Sequence, residues 1–153
     1  MAIDVFTQIL KDHDSIEDLY RLFQGETDPK NREKIGNDII REATVHTYTE
    51  EIVVYRAYQE YMPDGKKYAQ DSLKEHEDIR KMLAKLEFLK VTDPEYAEMM
   101  DLAMKEFVKH VKEEEEEILP RLKRYLNDEL VDDLGEEYAR IKPTVPQKPK
   151  IHD

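Results

Sequence analysis

Histidine is the residue type whose distribution in this 153-residue sequence most suggests chemistry. Four of the five histidines are 33, 30 and 34 residues apart, and each falls on the apolar stripe of a segment with helical periodicity. Half of such an interval is about 16 residues, or roughly 24 Å of helix at 1.5 Å per residue. Antiparallel helices of that length would bring four imidazoles to a similar height: His13, His46, His76 and His110.

Two of these histidines are followed four residues later by a glutamate. The pairs are His46 with Glu50 and His110 with Glu114. Residues four apart lie one above the other on one face of a helix, so each pair offers a nitrogen and an oxygen to the same point. Without a cation, these carboxylates would be buried on apolar stripes at a cost of several kcal/mol. The spacing therefore predicts a metal site inside the helical core.

The combined ligand set indicates which metals would bind there. Four imidazoles and two carboxylates suit two ions a few ångströms apart, with the carboxylates bridging them. The sequence has no cysteine, which excludes thiolate zinc sites, iron-sulfur clusters, disulfides and cysteine nucleophiles. Iron suits this mixture of nitrogen and oxygen, and spacing alone does not distinguish it from manganese or zinc. A hydroxide or oxide bridge would balance the charge that two glutamates leave unneutralised.

Single parts of this pattern also have structural explanations. One histidine on an apolar face is more often a hydrogen-bonded core residue than a ligand, and with 36 acidic residues a glutamate four residues later is common by chance. Glu17 follows His13 at that spacing, and the stripe through Ile16 and Tyr20 favours a surface position for it. The alternative to a metal protein is a plain helical interaction module whose histidines are structural.

Other polar and aromatic residues are expected to be structural or solvated. The run Glu113 to Glu117 indicates a mostly solvated face on which only Glu114, with Glu117 as a second candidate, points inward. His152, near the C-terminus, is expected to be inert. Four tyrosines are expected to fill the bundle or its rim, and one of them would border the metal pocket: Tyr48, Tyr55, Tyr58 and Tyr68.

Four amphipathic helices must position this site. Apolar periodicity and turn residues predict them over about 3–23, 29–61, 66–90 and from 94 to near Pro120. Pro120 lacks the backbone N–H that would bond Glu116, so a kink or an end is expected there. Short connections make neighbouring helices antiparallel. The predicted fold is therefore all-α, an up-down-up-down four-helix bundle with a short C-terminal helix and an extended tail.

The predicted domain organisation separates the bundle from this C-terminal part. The bundle occupies residues 1–126, and residues 127–153 form the appendage. A short acidic helix is expected from after Asn127 to about Ile141. The proline-containing stretch from Lys142 to Lys150 is typical of an extended tail.

Composition bounds the partners and the location. The formal net charge of -12 repels a phosphate backbone, so we expect neither nucleic acid nor an anionic membrane as a partner. No segment approaches the roughly 20 consecutive apolar residues of a membrane span, and the N-terminus lacks a basic region followed by an apolar run. We therefore expect a cytoplasmic protein that is a monomer or a weak dimer.

With these residues, the sequence resembles the hemerythrin-like proteins with an HHE cation-binding domain, over about residues 1–125. That family carries a histidine on the first helix, His-x-x-x-Glu on the second, a histidine on the third, and His-x-x-x-Glu-Glu leading to Ile-Leu-Pro on the fourth. The corresponding segments here are His13, His46 to Glu51, His76, His110 to Glu114, and Ile118 to Pro120.

The resemblance implies a non-haem di-iron pair, oxo- or hydroxo-bridged, with Glu50 and Glu114 as bridges and two histidines on each iron. In the oxygen-carrying hemerythrins the third helix supplies two histidines four residues apart and the fourth ends in an aspartate ligand, whereas here Ser72 and Arg80 flank His76 at that spacing. Fewer protein ligands leave coordination positions open, so reaction with dioxygen, peroxide or nitric oxide is expected more than reversible carriage. The alternative function is an iron or oxygen sensor, or an iron buffer, that signals to a partner.

Overall fold

The four predicted helices form a bundle in which consecutive helices are neighbours. A computed structural model of the chain describes residues 3–150, which contain no β-strand. The long helices are α1 (Val5–Gly25), α2 (Pro29–Tyr61), α3 (Gly65–Lys85) and α4 (Pro94–Glu113). A π-helical turn (Glu114–Ile118) joins α4 to α5 (Leu119–Lys123), and α6 spans Asp128–Ile141. Single 3-10 turns cover Leu86–Phe88 and Lys142–Thr144. The predicted all-α bundle is confirmed.

Local sequence signals set the helix ends. Asp28 caps α2 by accepting a hydrogen bond from the backbone N–H of Asn31 at 3.1 Å, and Pro29 occupies the first turn, where no N–H is needed. Asn127 caps α6 in the same way through the N–H of Leu130 at 2.8 Å. The second helix therefore begins and ends at the residues that the periodicity predicted.

Two apolar clusters lie on either side of the level at which the histidines meet. The lower cluster contains the first turns of α1 and the last turns of α2, together with Ile118, Leu122 and Tyr138. The upper cluster contains Ile16, Ile39, Ile79, Leu83 and Phe107 with their buried neighbours. The polar layer between them is thereby held away from solvent at both ends.

The turn between α2 and α3 depends on a very close backbone approach. A Cβ added to Gly65 would lie 1.6 Å from the carbonyl oxygen of Tyr58, so no larger residue fits without moving the backbone. Only Met62, Pro63 and Asp64 separate the two helices. This short connection fixes where α3 starts against the end of α2, and hence the height of the third histidine.

Near Pro120, where a kink or an end of the fourth helix is expected, the backbone forms a π turn. The backbone N–H of Leu119 bonds the carbonyl oxygen of Glu114, which is the five-residue spacing of a π turn. The helix then continues to Lys123. Because a π turn holds more residues than an α turn, successive side chains are separated by a smaller angle, and Glu115 turns towards the interior together with Glu114.

The C-terminal segment packs against the bundle. Helix α6 contacts α1 and α2, and the side-chain amide of Gln8 donates to the carbonyl oxygen of Gly135 at 2.7 Å. In the tail, Val145 is buried, and the backbone N–H of Lys150 donates to the hydroxyl of Tyr48 at 3.2 Å. The division of the chain at residue 126 stays a prediction. His152 lies outside the described residues.

Within residues 3–150, no helix combines the length and the apolar character needed to cross a membrane.

Candidate metal centre

The six residues predicted as ligands come together in the middle of the bundle, and each is at most 3% exposed. In the described part of the chain, potential ligand atoms form two groups of four, with all atoms of a group within 4.8 Å of one another. Glu50 and Glu114 belong to both groups. The His13/His46 group is completed by the histidines of α1 and α2, and the His76/His110 group by those of α3 and α4.

The spacing of the histidine nitrogens fits a shared ion in each group. Nε2 of His13 lies 3.1 Å from Nε2 of His46. Nε2 of His76 lies 3.0 Å from Nε2 of His110. Two nitrogens that lie about 2.1 Å from one ion and subtend a right angle at it are about 3.0 Å apart. Each histidine pair is therefore spaced as two ligands of one metal ion would be.

Glu114 faces both groups with different oxygen atoms. Its Oε1 lies 3.3 Å from Nε2 of His13, and its Oε2 lies 3.1 Å from Nε2 of His110. A carboxylate in this position can give one oxygen to each of two ions. Glu114 therefore faces the two groups with separate oxygens.

Glu50 approaches both groups through one oxygen. Its Oε1 lies 3.4 Å from Nε2 of His46 and 3.2 Å from Nε2 of His76. Within residues 3–150, neither oxygen of Glu50 nor of Glu114 has a hydrogen-bond partner. Burial, and then the neighbouring charge of Glu114, raise the pKa of Glu50 well above its usual range. Two buried carboxyl groups this close together form an arrangement that a shared cation would stabilise.

The contacts of the four outward-facing Nδ1 atoms indicate which ring nitrogen of each histidine carries the proton. Each Nδ1 lies within hydrogen-bond distance of a carboxylate on another helix. The pairs are His13 with Glu115 at 2.8 Å, His46 with Asp12 at 2.9 Å, His76 with Glu51 at 2.9 Å, and His110 with Glu75 at 2.5 Å. A carboxylate accepts, so we assign the proton to Nδ1 and leave Nε2 bare. The Nε2 atoms then face the carboxyl oxygens of Glu50 and Glu114, and together these are the nitrogen and oxygen donors that a cation would bind.

Sequence reasoning did not single out Tyr55 from the other tyrosines. Its hydroxyl lies 2.7 Å from Nε2 of His76 and 3.4 Å from Nε2 of His110. Burial, and then the charges of Glu50 and Glu114, raise its pKa well above the usual range. No spacing rule marks this residue, because it follows Glu50 by five positions on α2. The Tyr55 hydroxyl is thus a fifth polar group beside the four residues of the His76/His110 group.

Asp12 connects the site to the C-terminal segment and was also missed. Besides His46, it accepts hydrogen bonds from the hydroxyl of Tyr138 and, at 2.5 Å, from Nζ of Lys142. Burial alone would raise the pKa of Asp12, but these contacts outweigh it and hold the pKa well below its usual range. The carboxylate is therefore charged, and α6 is tied to a histidine of the site.

Arg80 follows His76 by four residues, at one of the two flanking positions where the sequence has no second histidine. Both of its terminal nitrogens bond the carboxylate of Glu51, and its guanidinium lies 4.1 Å from the ring centroid of Tyr48. It acts on His76 through Glu51. Ser72, the other flanking residue, belongs to neither group of ligand atoms in the described residues.

The remaining acidic candidates behave as surface residues. Glu17 is half-buried and Glu117 is exposed, and neither belongs to the two groups found within residues 3–150. The inward place that the sequence offered to Glu117 is taken by Glu115, because of the π turn. The prediction that Glu113 to Glu117 form a mostly solvated face is therefore corrected at one position, because Glu115 and not Glu117 is the second residue that faces the site.

A cleft of about 470 Å³ lies between α1, α2 and the C-terminal segment. Its walls include Ile16 and Val45 together with Asp12, Arg41 and Lys142. Asp12 bonds His46 directly, so the cleft reaches the outer side of the His13/His46 group.

Comparisons with known proteins agree with this geometry. The family model described as hemerythrin HHE cation binding domain matches residues 4–122. The chain is 29% identical over 139 residues to a hemerythrin-like protein of Schizosaccharomyces pombe, covering 90% of this chain and 68% of that protein. It is 21% identical over 140 residues to a DNA nickase of Nostoc, covering 92% of this chain and only 39% of that protein.

A solved structure has the same fold. The crystal structure of a hemerythrin HHE cation binding domain-containing protein from Mycobacterium kansasii has a TM-score of 0.80 at 19% identity, covering 93% of this chain and 86% of that one. Together with the family match over residues 4–122, this confirms the resemblance suggested by the histidine and glutamate spacing. The chain belongs to the hemerythrin HHE cation-binding domain family.

Proposed function

We propose that this chain is a non-haem di-iron protein that binds or reduces a small oxidant, with dioxygen, peroxide and nitric oxide as the candidate ligands. One observation carries the proposal: the Nε2 atoms of four buried histidines converge with the carboxyl oxygens of Glu50 and Glu114, and those oxygens lack hydrogen-bond partners in the described chain. Burying two such carboxylates costs several kcal/mol without a compensating charge. A pair of cations removes that cost, so the residues fit the metal.

In this proposal the four histidines are terminal ligands and the two glutamates are bridges. The separate orientation of the two oxygens of Glu114, towards His13 and His110, supports the bridging role. Iron is favoured by membership of the hemerythrin family and by the nitrogen and oxygen donor set. Manganese and zinc are accepted by the same donors and are alternatives that metal analysis separates.

The two groups differ in the number of protein atoms that they offer. The hydroxyl of Tyr55 lies beside the His76/His110 group. The rings of His13 and His46 instead lie nearly perpendicular to the ring of Phe107, with centroid distances of 6.0 and 6.3 Å. The cleft between α1, α2 and the C-terminal segment lies beside this group, because its wall residue Asp12 bonds His46. The small ligand would therefore bind at the His13/His46 group and reach it from this cleft.

When bound, an iron pair supplies electrons and an open coordination position for the oxidant. The protein contributes geometry and dielectric around that chemistry. The buried layer excludes bulk water, and the apolar clusters above and below it strengthen electrostatic interactions within the site. The Nδ1 contacts keep the imidazoles facing inward.

Metal analysis of the purified protein tests the proposal directly. Elemental analysis, with ultraviolet and visible spectra before and after dithionite and air, should give two irons per chain, one for each group of ligand atoms. A charge-transfer absorption should appear in the oxidised protein and bleach on reduction. Glu114→Gln should lose metal, whereas Glu117→Gln, an exposed residue on the same π turn, should retain it. No uptake of metal by the wild-type chain, even after anaerobic ferrous loading, would return the histidines to a structural role.

A sensor or buffer is the second candidate, favoured by the link from the site to the C-terminal segment. His46 bonds Asp12, and Asp12 bonds Tyr138 and Lys142. Loss of iron would free His46 and loosen the docking of α6, exposing a surface to a partner. Steady consumption of peroxide or nitric oxide would favour an enzyme. Stoichiometric binding with increased hydrogen exchange of residues 128–150 in the iron-free protein would favour a sensor.

The absence of a nucleic-acid partner stays a prediction. Its support is the net charge of -12, which opposes binding to phosphates. DNA nickase is the name of one relative, of which this chain spans 39%.

A further inference from the structure

Each helix of the bundle contributes an acidic residue directly beside a proposed ligand in the sequence. On α1 and α3 the acidic residue comes before the ligand, as Asp12 before His13 and Glu75 before His76. On α2 and the fourth helix it comes after, as Glu51 after Glu50 and Glu115 after Glu114. We call these four residues, Asp12, Glu51, Glu75 and Glu115, the outer carboxylates.

The alternation between before and after follows from helix geometry. Successive residues of an α-helix are turned by about 100° around its axis, and by a somewhat smaller angle in the π turn that carries Glu115. Neighbouring helices run in opposite directions. Seen from one end of the bundle, the residue before a ligand on one helix and the residue after a ligand on the next helix are therefore rotated in the same sense about their helix axes. All four outer carboxylates are therefore displaced the same way around the bundle, each towards the next helix.

The hydrogen bonds of these residues close a circuit through the four helices. The outer carboxylate of α1 bonds the histidine of α2, that of α2 bonds the histidine of α3, that of α3 bonds the histidine of α4, and that of the π turn bonds the histidine of α1. Each helix therefore holds a ligand of its neighbour. No helix supports its own histidine in this circuit.

We propose that the outer carboxylates are positioning residues for the metal pair, each holding the Nε2 atom of the histidine on the next helix towards its ion. This inference rests on the proposed metal binding. Carboxylates that accept the second N–H of a ligating histidine fix its orientation and raise its basicity, and their loss typically weakens metal binding by about 10- to 100-fold.

The four residues differ in how they are themselves held, which decides the best test. Arg80 binds Glu51, and Tyr138 and Lys142 bind Asp12, so changing either residue also disturbs the packing of another element. Glu75 and Glu115 have side chains that are 41% and 36% exposed. Within residues 3–150, their ion-pair partners are His110 and His13 respectively. Truncation at these two positions should therefore leave the fold intact.

The circuit also assigns each outer carboxylate to one ion. Glu115 acts on His13 and so on the His13/His46 group, whereas Glu75 acts on His110 and so on the other group. Removing one outer carboxylate should weaken the binding of one ion much more than the binding of the other. A merely structural role predicts no such selectivity, since an unfolded or loosened bundle loses both ions.

The experiment measures stepwise affinities for ferrous ion under anaerobic conditions, and for cobalt(II) as a visible probe, by competition with a chelator. In Glu115→Ala and in Glu75→Ala, one of the two affinities should fall by about 10- to 100-fold, and in the double variant both should fall. Glu115→Gln keeps an acceptor oxygen and should recover most of the affinity. The exposed neighbours Glu116 and Glu77 provide the matched controls Glu116→Ala and Glu77→Ala, which should bind as the wild type does.

Three results would overturn the inference while leaving the metal function standing. They are wild-type affinities in both alanine variants, equal loss of both ions in a single variant whose helicity is unchanged, and no recovery in Glu115→Gln. A wild-type chain that binds neither ion would overturn the proposed function itself, and the inference with it.

Discussion

The hydroxyl oxygen of Tyr55 lies 2.7 Å from Nε2 of His76, a separation that two ligands of one ion would have. A bound cation favours the phenolate and reverses the effect of burial, which raises the pKa of this tyrosine in the metal-free protein. We therefore expect ferric protein to show a phenolate-to-iron absorption in the visible range. Tyr55→Phe should abolish that absorption while both irons remain bound.

The neighbouring Tyr58 provides the control for this prediction. Its ring stacks on that of Tyr55 with centroids 5.3 Å apart, and it is equally buried, but its hydroxyl has no partner within residues 3–150. Tyr58→Phe should keep the visible absorption. A band that survives in Tyr55→Phe, or that disappears in Tyr58→Phe, would show that the Tyr55 oxygen is not a ligand.

Glu50 should make the metal-free protein less stable as the pH rises. The pKa of Glu50 is raised in the folded chain, so the folded state binds its proton more tightly than the unfolded state, whose value is near 4.5. Stability then falls as pH increases from about 4.5 through the folded pKa, by up to about 1.4 kcal/mol per pH unit for one proton. Glu50→Gln removes this proton and should stabilise the metal-free protein increasingly across the same range.

The measurement compares the free energies of unfolding of the two metal-free proteins by denaturant titration at several pH values. The difference should be smallest at the acidic end and should grow with pH. Glu60→Gln, an exposed change on the same helix, should give a difference that does not grow in this way. A constant difference between wild type and Glu50→Gln would mean that neither burial nor the charge of Glu114 raises the pKa of Glu50 in the folded chain.

The sequence was sufficient for the features that repeat along the helices. Apolar stripes predicted the four helices, and the similar spacing of the histidines predicted their common height. The pairs His46 with Glu50 and His110 with Glu114 were brought together because four residues make about one helical turn. Periodicity is a property of one helix, and antiparallel packing follows from short connections.

Features that depend on contacts between helices were not predictable in the same way. Tyr55 reaches the site from a position with no spacing rule, and Glu115 turns inward because of the π turn before Pro120. The docking of α6 depends on the bonds of Tyr138 to Asp12, residues 126 positions apart. The outer carboxylates did leave a signal, an acidic neighbour beside each ligand pair or histidine, but with 36 acidic residues it is visible only once the helix order is known.

Gly65 should be intolerant of a side chain although its backbone is not strained. No glycine in residues 3–150 has a positive φ, so the constraint is the carbonyl oxygen of Tyr58, 1.6 Å from an added Cβ. Gly65→Ala should lower the free energy of unfolding by about 1 to 3 kcal/mol, because the ends of α2 and α3 must separate. Denaturant unfolding of the metal-free protein measures this.

Gly25 is the matched control, since an added Cβ there has no heavy atom within 4 Å outside its own helix and chain neighbours. Gly25→Ala should be neutral or stabilising by up to about 1 kcal/mol, because alanine reduces the freedom of the unfolded chain. Equal effects of the two substitutions would contradict the close approach at Gly65.

His76→Ala should cost metal occupancy much more than helicity. His76 is the single histidine that α3 contributes, and burial, followed by the charge of His110, lowers its pKa well below the usual range in the metal-free protein. Without metal His76 is neutral and contributes no charge to the buried layer, so we expect its removal to affect helicity much less than metal binding. If the substitution weakens the binding of one ion roughly 100-fold, the free energy of unfolding of the metal-loaded protein should fall by about 2.7 kcal/mol. Circular dichroism should therefore be unchanged, and the difference in unfolding free energy between loaded and metal-free protein should shrink.

Ser72→Ala, one turn earlier on α3, is the control and should leave that difference as it is in the wild type. Wild-type metal content in His76→Ala would contradict a site built from all four helices, because α3 supplies no other residue of either ligand group within residues 3–150.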